Sequence, residues 1–309
     1  MTGEAENLIP PTQRRPIRSI LKFAFVSILL LAAGIGVYIA AYRYGLRPAP
    51  ERRAIFQGVE YIREVFDQPY PSVVHLVIAD LDAPGVKVHV TPPDFPGEKL
   101  PLKARTTSGY LREFGLQAAV NANNFMPFRT WPLWEFYPWP GDRVTVAGGA
   151  ASAGSSYGDR SPLWPVLNFD VGGRPGIRMA GNDPWFNAIV GVKWIIKNGQ
   201  SLAMNPGNDP PRVRTAAGID ATGRRLMMAV ADGDLPPYAV GIRRSDFTAL
   251  LVRHGVHNAI ELDAGGSSSL VLQIPGGGSK LMNVPVQAGV PGFERPVGNH
   301  LGLFAQPLR

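Results

Sequence analysis

The 309-residue chain is 45% apolar and 18% charged, so it is not disordered by composition and is long enough to bury a real core. Its 35 Gly and 30 Pro follow no period, which excludes a collagen-like fibre, and its lack of Cys excludes disulfides, thiolate metal sites and cysteine nucleophiles. The net charge of +7 is uneven: residues 1–53 hold eight Lys/Arg against three acids, while the other 256 hold 23 against 21, a near-neutral body without the basic face that nucleic-acid binding needs.

In chain order, residues 1–22 read as a basic N-terminus, and residues 23–42 (FAFVSILLLAAGIGVYIAAY) as a transmembrane anchor. Twenty uncharged residues match a bilayer core of roughly 30 Å. Basic residues flank both ends, and Tyr38, Tyr42 and Tyr44 stand where an interfacial belt belongs. A soluble core helix would show a polar face, which this run lacks. A cleaved signal peptide is the nearer rival, but its apolar region is shorter and ends in a small-x-small site. Four basic residues precede the span and four follow closely, so charge does not set the orientation. A cytoplasmic N-terminus with the large domain outside is the usual outcome for one early span. Residues 43–53 read as a juxtamembrane linker and 54–309 as one domain.

Within that domain, Val73–Asp80 and Val86–Thr91 read as strands joined by the turn Asp82-Ala83-Pro84-Gly85. Ser108 opens a short helix that stops at Gly115, and Gln117–Ala122 is a buried strand. Residues 126–187, rich in Pro, Gly and aromatics, show no period and read as long ordered loops. Ala188–Lys197, Val213–Ile219 and Arg225–Ala231 are strands, and Ser245 caps a helix bearing Phe247, Leu250 and Leu251 that stops at Gly255. Asn258–Leu262 and Ser269–Gln273 are strands again. The fold class is α+β: a mixed β-sheet core with few helices and long ordered loops, behind one transmembrane helix.

Polar clusters lie at the strand ends. Glu261-Leu262-Asp263-Ala264-Gly265-Gly266-Ser267-Ser268-Ser269 places two carboxylates on one face of a strand and follows them with small residues whose N–H groups can turn toward an anion. Asn121-Ala122-Asn123-Asn124 offers amides suited to sugar hydroxyls, and Arg214 a fork suited to phosphate or carboxylate. Asp232-Gly233-Asp234 and Glu294-Arg295-Pro296-Val297 read as turns by themselves. The five His show no metal-ligand spacing, and there is no phosphate loop, Rossmann glycine pattern or Gly-x-Ser-x-Gly elbow. No cofactor is implied, and a metal requirement is left open.

Taken in order, Asn121-x-x-x-Phe125, Arg214-Thr215-Ala216, Asp232-Gly233, the capped helix, Leu262-Asp263-x-Gly265-Gly266-Ser267-Ser268 and Glu294-Arg295-Pro296-Val297 resemble the phosphodiester glycosidase family. The resemblance runs over roughly residues 117–305 and is densest from Arg212 to Phe304. It implies an extracytoplasmic hydrolase that cuts between an anomeric carbon and a phosphodiester oxygen, with a surface or extracellular glycan as substrate; some bacterial members are labelled exopolysaccharide-related. On this resemblance Arg214 and the N–H groups of Gly265, Gly266, Ser267 and Ser268 hold the phosphodiester. Asp263 or Glu261 acts on the anomeric centre, as base for water or as nucleophile. Asn121, Asn123 and the carboxylate of Asp232 reach sugar hydroxyls, and Arg295 completes the set. The family usually carries Gly where this chain has Ala264, a change that matters if the position is left-handed. Trp131, Trp134, Phe136, Tyr137 and Trp139 read as a wall of the cleft, as core, or as a membrane contact. A non-catalytic glycan-binding factor and a glycosidase on unphosphorylated glycans are the rival readings.

Overall fold

The computed structural model of the chain describes residues 17–131, 136–202 and 208–308. The chain divides after Tyr42 into two units. Helix α1, Ile17–Tyr44, carries the apolar run, and its stretch Ile20–Tyr44 has 25 residues, a mean hydropathy of 2.4 and largely exposed side chains. At about 1.5 Å per residue a helix of that length exceeds the roughly 30 Å of a hydrocarbon core.

The second unit is built on two antiparallel sheets that pack face to face. The larger has the order Glu51–Phe56, Val59–Phe66, Ser72–Asp80, Arg225–Ala231, Arg214–Ile219, Asn258–Glu261, Lys193–Lys197, Gln200–Ser201. The smaller has the order Ser279–Leu281, Leu270–Gln273, Ala118–Asn121, His300–Phe304, Lys87–Val90. Val77, Met228, Val230 and Ile260 of the first meet Val120, Leu270, Leu301 and Leu303 of the second. Helix α3, Arg244–Arg253, covers the outer face of the larger sheet through Phe247, Leu250 and Leu251. Helix α2, Thr107–Phe114, covers the smaller through Tyr110 and Leu111. Helices on both outer faces leave the central strands buried on each side. Arg214–Ile219 and Ala118–Asn121 are buried at every position, and so read as continuous rather than alternating runs. The α+β reading therefore stands. Among the described residues parallel pairing is confined to Asp159–Arg160 beside Arg143–Gly148.

Four local expectations are corrected. Residues 126–187 hold a third sheet, in the order Ser155–Tyr157, Ala150–Ser152, Asn187–Val190, Pro165–Phe169, Pro175–Met179, whose strands of three to five residues are too short to show a period of two. Ala188–Lys197 is two strands in two sheets, split at Gly191, where a Cβ would stand 2.7 Å from the Glu261 carbonyl oxygen. The caps are displaced: Thr106 Oγ1 accepts from the Gly109 N–H at 3.0 Å, and Asp209 accepts from the N–H groups of both Arg244 and Ser245 at 2.8 Å, in place of Ser108 and Ser245. The first strand begins at Glu51, so residues 51–53 belong to the sheet and not to a linker.

Candidate active site

The glycine-serine signature leaves the larger sheet at Glu261 and is fastened on three sides. Leu262 N–H reaches the Thr215 carbonyl at 2.8 Å and Asp263 N–H the Ala122 carbonyl at 2.9 Å. Asn121 Nδ2 donates to the Asp263 carbonyl at 2.7 Å, and Asn121 Oδ1 accepts from Ser269 N–H at 3.1 Å. Thr215 Oγ1 donates to Ser268 Oγ at 2.7 Å, while Asn283 Nδ2 donates to the Ser268 carbonyl at 2.9 Å. Ala264 has φ −127°, ordinary extended backbone, and the left-handed residue is Gly265 at φ 64°. Ala264 in place of the family's usual glycine therefore carries no left-handed strain. Gly265–Ser267 form one 3₁₀ turn. The backbone N–H groups of Gly265 and Gly266 have no acceptor among the described residues.

Arg295 closes over this turn. Its Nη1 donates to Ser267 Oγ at 2.9 Å and its Nε to Gln287 Oε1 at 2.6 Å, and its guanidinium lies 4.5 Å from the centre of the Phe128 ring. Gly266 sits beneath it. A Cβ there would stand 2.5 Å from Arg295 Nη2, 2.6 Å from Gln287 Oε1 and 2.9 Å from the Val286 carbonyl oxygen. Gly266→Ala is expected to displace Arg295 and the Val286 backbone, lowering kcat/KM about 10²-fold and stability by about 1–3 kcal/mol. Gly265→Ala, whose Cβ meets nothing within 4 Å, should cost only the roughly 1–2 kcal/mol of a left-handed alanine. Steady-state rates and urea melts of the two variants check this.

Asp263 is the carboxyl that this cluster perturbs. Burial raises its pKa from 3.8 to about 6, against the opposing pulls of the Ser267 hydroxyl, the Arg295 charge and the Ala264 N–H. A carboxylate with that pKa is a competent base near neutral pH, and its place beside a guanidinium and a glycine turn is where catalytic carboxylates are found.

The other expected residues are bonded largely within the chain. Glu261 does not share Asp263's surroundings: its two oxygens take Arg214 Nη1 at 2.6 Å and Arg244 Nη2 at 3.0 Å. Arg214 is 3% exposed, and its remaining donors go to Asp209 Oδ1 at 3.2 Å and the Ile242 carbonyl at 2.8 Å. Arg214 and Glu261 thus form a buried ion network under α3 that takes both carboxylates and most of the Arg214 donors. Asp232, 1% exposed, accepts from Val284 N–H at 2.7 Å and pairs with His75 Nε2 at 3.2 Å, which fixes the segment carrying Asn283. Asn123 donates to the Ala147 and Gly149 carbonyls and accepts from Val190 N–H and Asn299 Nδ2. Asn121 and Asn123 therefore frame the loop through their amides.

Gln287, Asn283 and Phe128 were missed from the sequence. Each meets the signature only through tertiary folding, and none stands in a recognisable motif. The aromatic segment divides. Tyr137 packs beside the cluster of Phe125, Val144, Val146 and Val297, while Trp131 is 75% exposed and Trp139 is also exposed. Phe136 lies 4.9 Å from Trp139, and Trp134 falls outside the described residues. Among the described residues no three His, Asp or Glu side chains group as for a metal.

Residues 114–304 match the model of a family described as phosphodiester glycosidase. No curated protein matches the chain. The fold is similar to that of a hypothetical protein from Synechocystis (13% identity, 84% of this chain and 64% of that one, TM-score 0.58). It is also similar to the catalytic domain of zebrafish N-acetylglucosamine-1-phosphodiester alpha-N-acetylglucosaminidase, auto-inhibited by its pro-peptide (18% identity, 86% of each chain, TM-score 0.56). The chain thus spans just under two thirds of the Synechocystis protein, and at these identities the likeness is one of fold.

Proposed function

The chain belongs to the phosphodiester glycosidase family, and on that premise we propose that it hydrolyses the glycosidic bond of a sugar-1-phosphodiester in a surface or extracellular glycan. The observation that carries this reading is the convergence of Asp263, its pKa raised to about 6, with the Arg295–Ser267 pair on one glycine turn. Arg295 and the N–H groups of Gly265 and Gly266 take the anionic phosphodiester. Asp263 draws a proton from water, whose oxygen bonds to the anomeric carbon. The bond from that carbon to the phosphate oxygen breaks, and its electron pair leaves on the phosphodiester group, giving a reducing sugar and a phosphomonoester. Phosphate is a weak base, so this departure asks little of a general acid, and the rate depends on positioning and electrostatics.

The length and hydropathy of Ile20–Tyr44 support an uncleaved anchor, with the body extracytoplasmic as its glycan substrate requires. The test uses the full chain in intact cells, given membrane-impermeant sugar-1-phosphodiesters and matched plain glycosides with and without chelator. Reducing sugar is expected from the phosphodiesters only, without permeabilisation. Release from the plain glycosides, or from neither set, overturns the reaction. Release from phosphodiesters only after permeabilisation leaves the reaction standing and overturns the location.

A further inference from the structure

Resting on that reading, we propose that Gln287 fits the site to a singly charged phosphodiester and against a doubly charged phosphomonoester. Gln287 is 1% exposed and lies in a hairpin in which Val286–Gln287 pairs with Val290–Pro291. Chemistry fixes which way its amide faces. Arg295 Nε–H is a donor, so the atom 2.6 Å from it is Oε1. Nε2 is then left with no hydrogen-bond partner among the described residues. A buried amide donor without an acceptor is destabilising. A non-bridging oxygen of a phosphate held at Arg295 supplies that acceptor.

The charge balance gives the specificity. Arg295 is the charged side chain that faces Asp263. The charges of two other buried guanidiniums are paired, Arg214 with Glu261 and Asp209, Arg105 with Asp94 and Glu113. Arg295 is oriented on both sides by neutral groups, Gln287 Oε1 and Ser267 Oγ. One cation thus serves one carboxyl and one bound anion. A phosphodiester brings a single negative charge. A phosphomonoester brings about −1.5 to −2 at neutral pH, and the excess meets Asp263 with no counter-charge. A glutamate at position 287 would neutralise Arg295. The neutral amide orients the guanidinium without cancelling it and adds a donor of its own.

The experiment compares wild type, Gln287→Glu and the size-matched Gln287→Met as full chains in detergent. Melting, binding of dimethyl phosphate and of methyl phosphate, and kcat and KM on one sugar-1-phosphodiester are measured. Wild type is expected to bind dimethyl phosphate at least about tenfold tighter than methyl phosphate, the worth of one charge-assisted hydrogen bond or more. Gln287→Glu should keep the wild-type melting point and lose about tenfold or more in dimethyl phosphate affinity and in KM. Gln287→Met should lose affinity for both phosphates while keeping the preference that the single charge of Arg295 sets. Wild-type-like KM and dimethyl phosphate affinity in either folded variant, or a wild type that binds both phosphates equally, overturns the inference. Wild type that binds dimethyl phosphate selectively but releases no sugar overturns the enzymatic reading instead and leaves this one standing.

Discussion

Asp263→Asn is expected to lower kcat/KM by about 10³-fold or more while raising the melting temperature at neutral pH. The two effects have one cause. Burial lifts the Asp263 pKa from 3.8 to about 6. Between those values the folded chain keeps a proton that the unfolded chain releases, so stability falls as pH rises through that window, and above about pH 6 the cost is complete. At 1.36 kcal/mol per unit the cost is about 3 kcal/mol. An amide has no charge to desolvate and removes most of it, for a gain of roughly 2–4 °C per kcal/mol in a domain of this size. The gain should shrink toward zero as pH falls to about 4, where both forms are neutral. As a base, Asp263 must be ionised, so wild-type kcat/KM should rise through an acidic limb near pH 6 and level off above it. A limb that falls above pH 6 would make Asp263 an acid. A variant that is both inactive and destabilised at pH 7.5 would make it a structural residue.

The longer strands and both helices of the body were legible in the sequence because apolar runs and helix stops are local signals, whereas their division into two packed sheets was not. The third sheet was not, because strands such as Ala150–Ser152 and Ser155–Tyr157 are shorter than any period. Asp263, the glycine turn and Arg295 were legible as motif residues. What the sequence could not supply was burial. Arg214 and Arg295 are equally plausible phosphate ligands on paper, and only the packing of α3 over Glu261 and Asp209 separates them. Alternation put Glu261 and Asp263 on one face, yet the strand ends at Glu261, and the chain then turns Asp263 toward Ser267. Gln287 lies some twenty residues beyond the signature, in a hairpin that no spacing rule connects to it.

Arg214 and Arg295 should therefore fail in opposite ways. Arg214, Arg244, Asp209 and Glu261 form a neutral set of two cations and two anions, with Arg214 bonded to both anions. Burial pushes the Asp209 pKa up, but the N–H groups of Ser245 and Arg244 and the Arg214 charge outweigh it and hold the carboxylate below 3.8. Arg214→Met leaves this set with one uncompensated negative charge under α3, at a cost of about 3–5 kcal/mol. The same change loosens the Asp209 cap on α3. The protein that remains folded should bind phosphodiester within a few-fold of wild type, since Arg214 is buried and its charge is paired with Glu261 and Asp209. Adding Glu261→Gln restores neutrality and should recover part of the loss, a coupling that a double-mutant cycle reads directly. Arg295→Met should melt near wild type and lose about 10²–10³ in kcat/KM, the worth of a preorganised electrostatic contact. Were Arg214→Met to keep its stability and lose phosphodiester affinity instead, Arg214 would be the phosphate ligand and the buried network only its support.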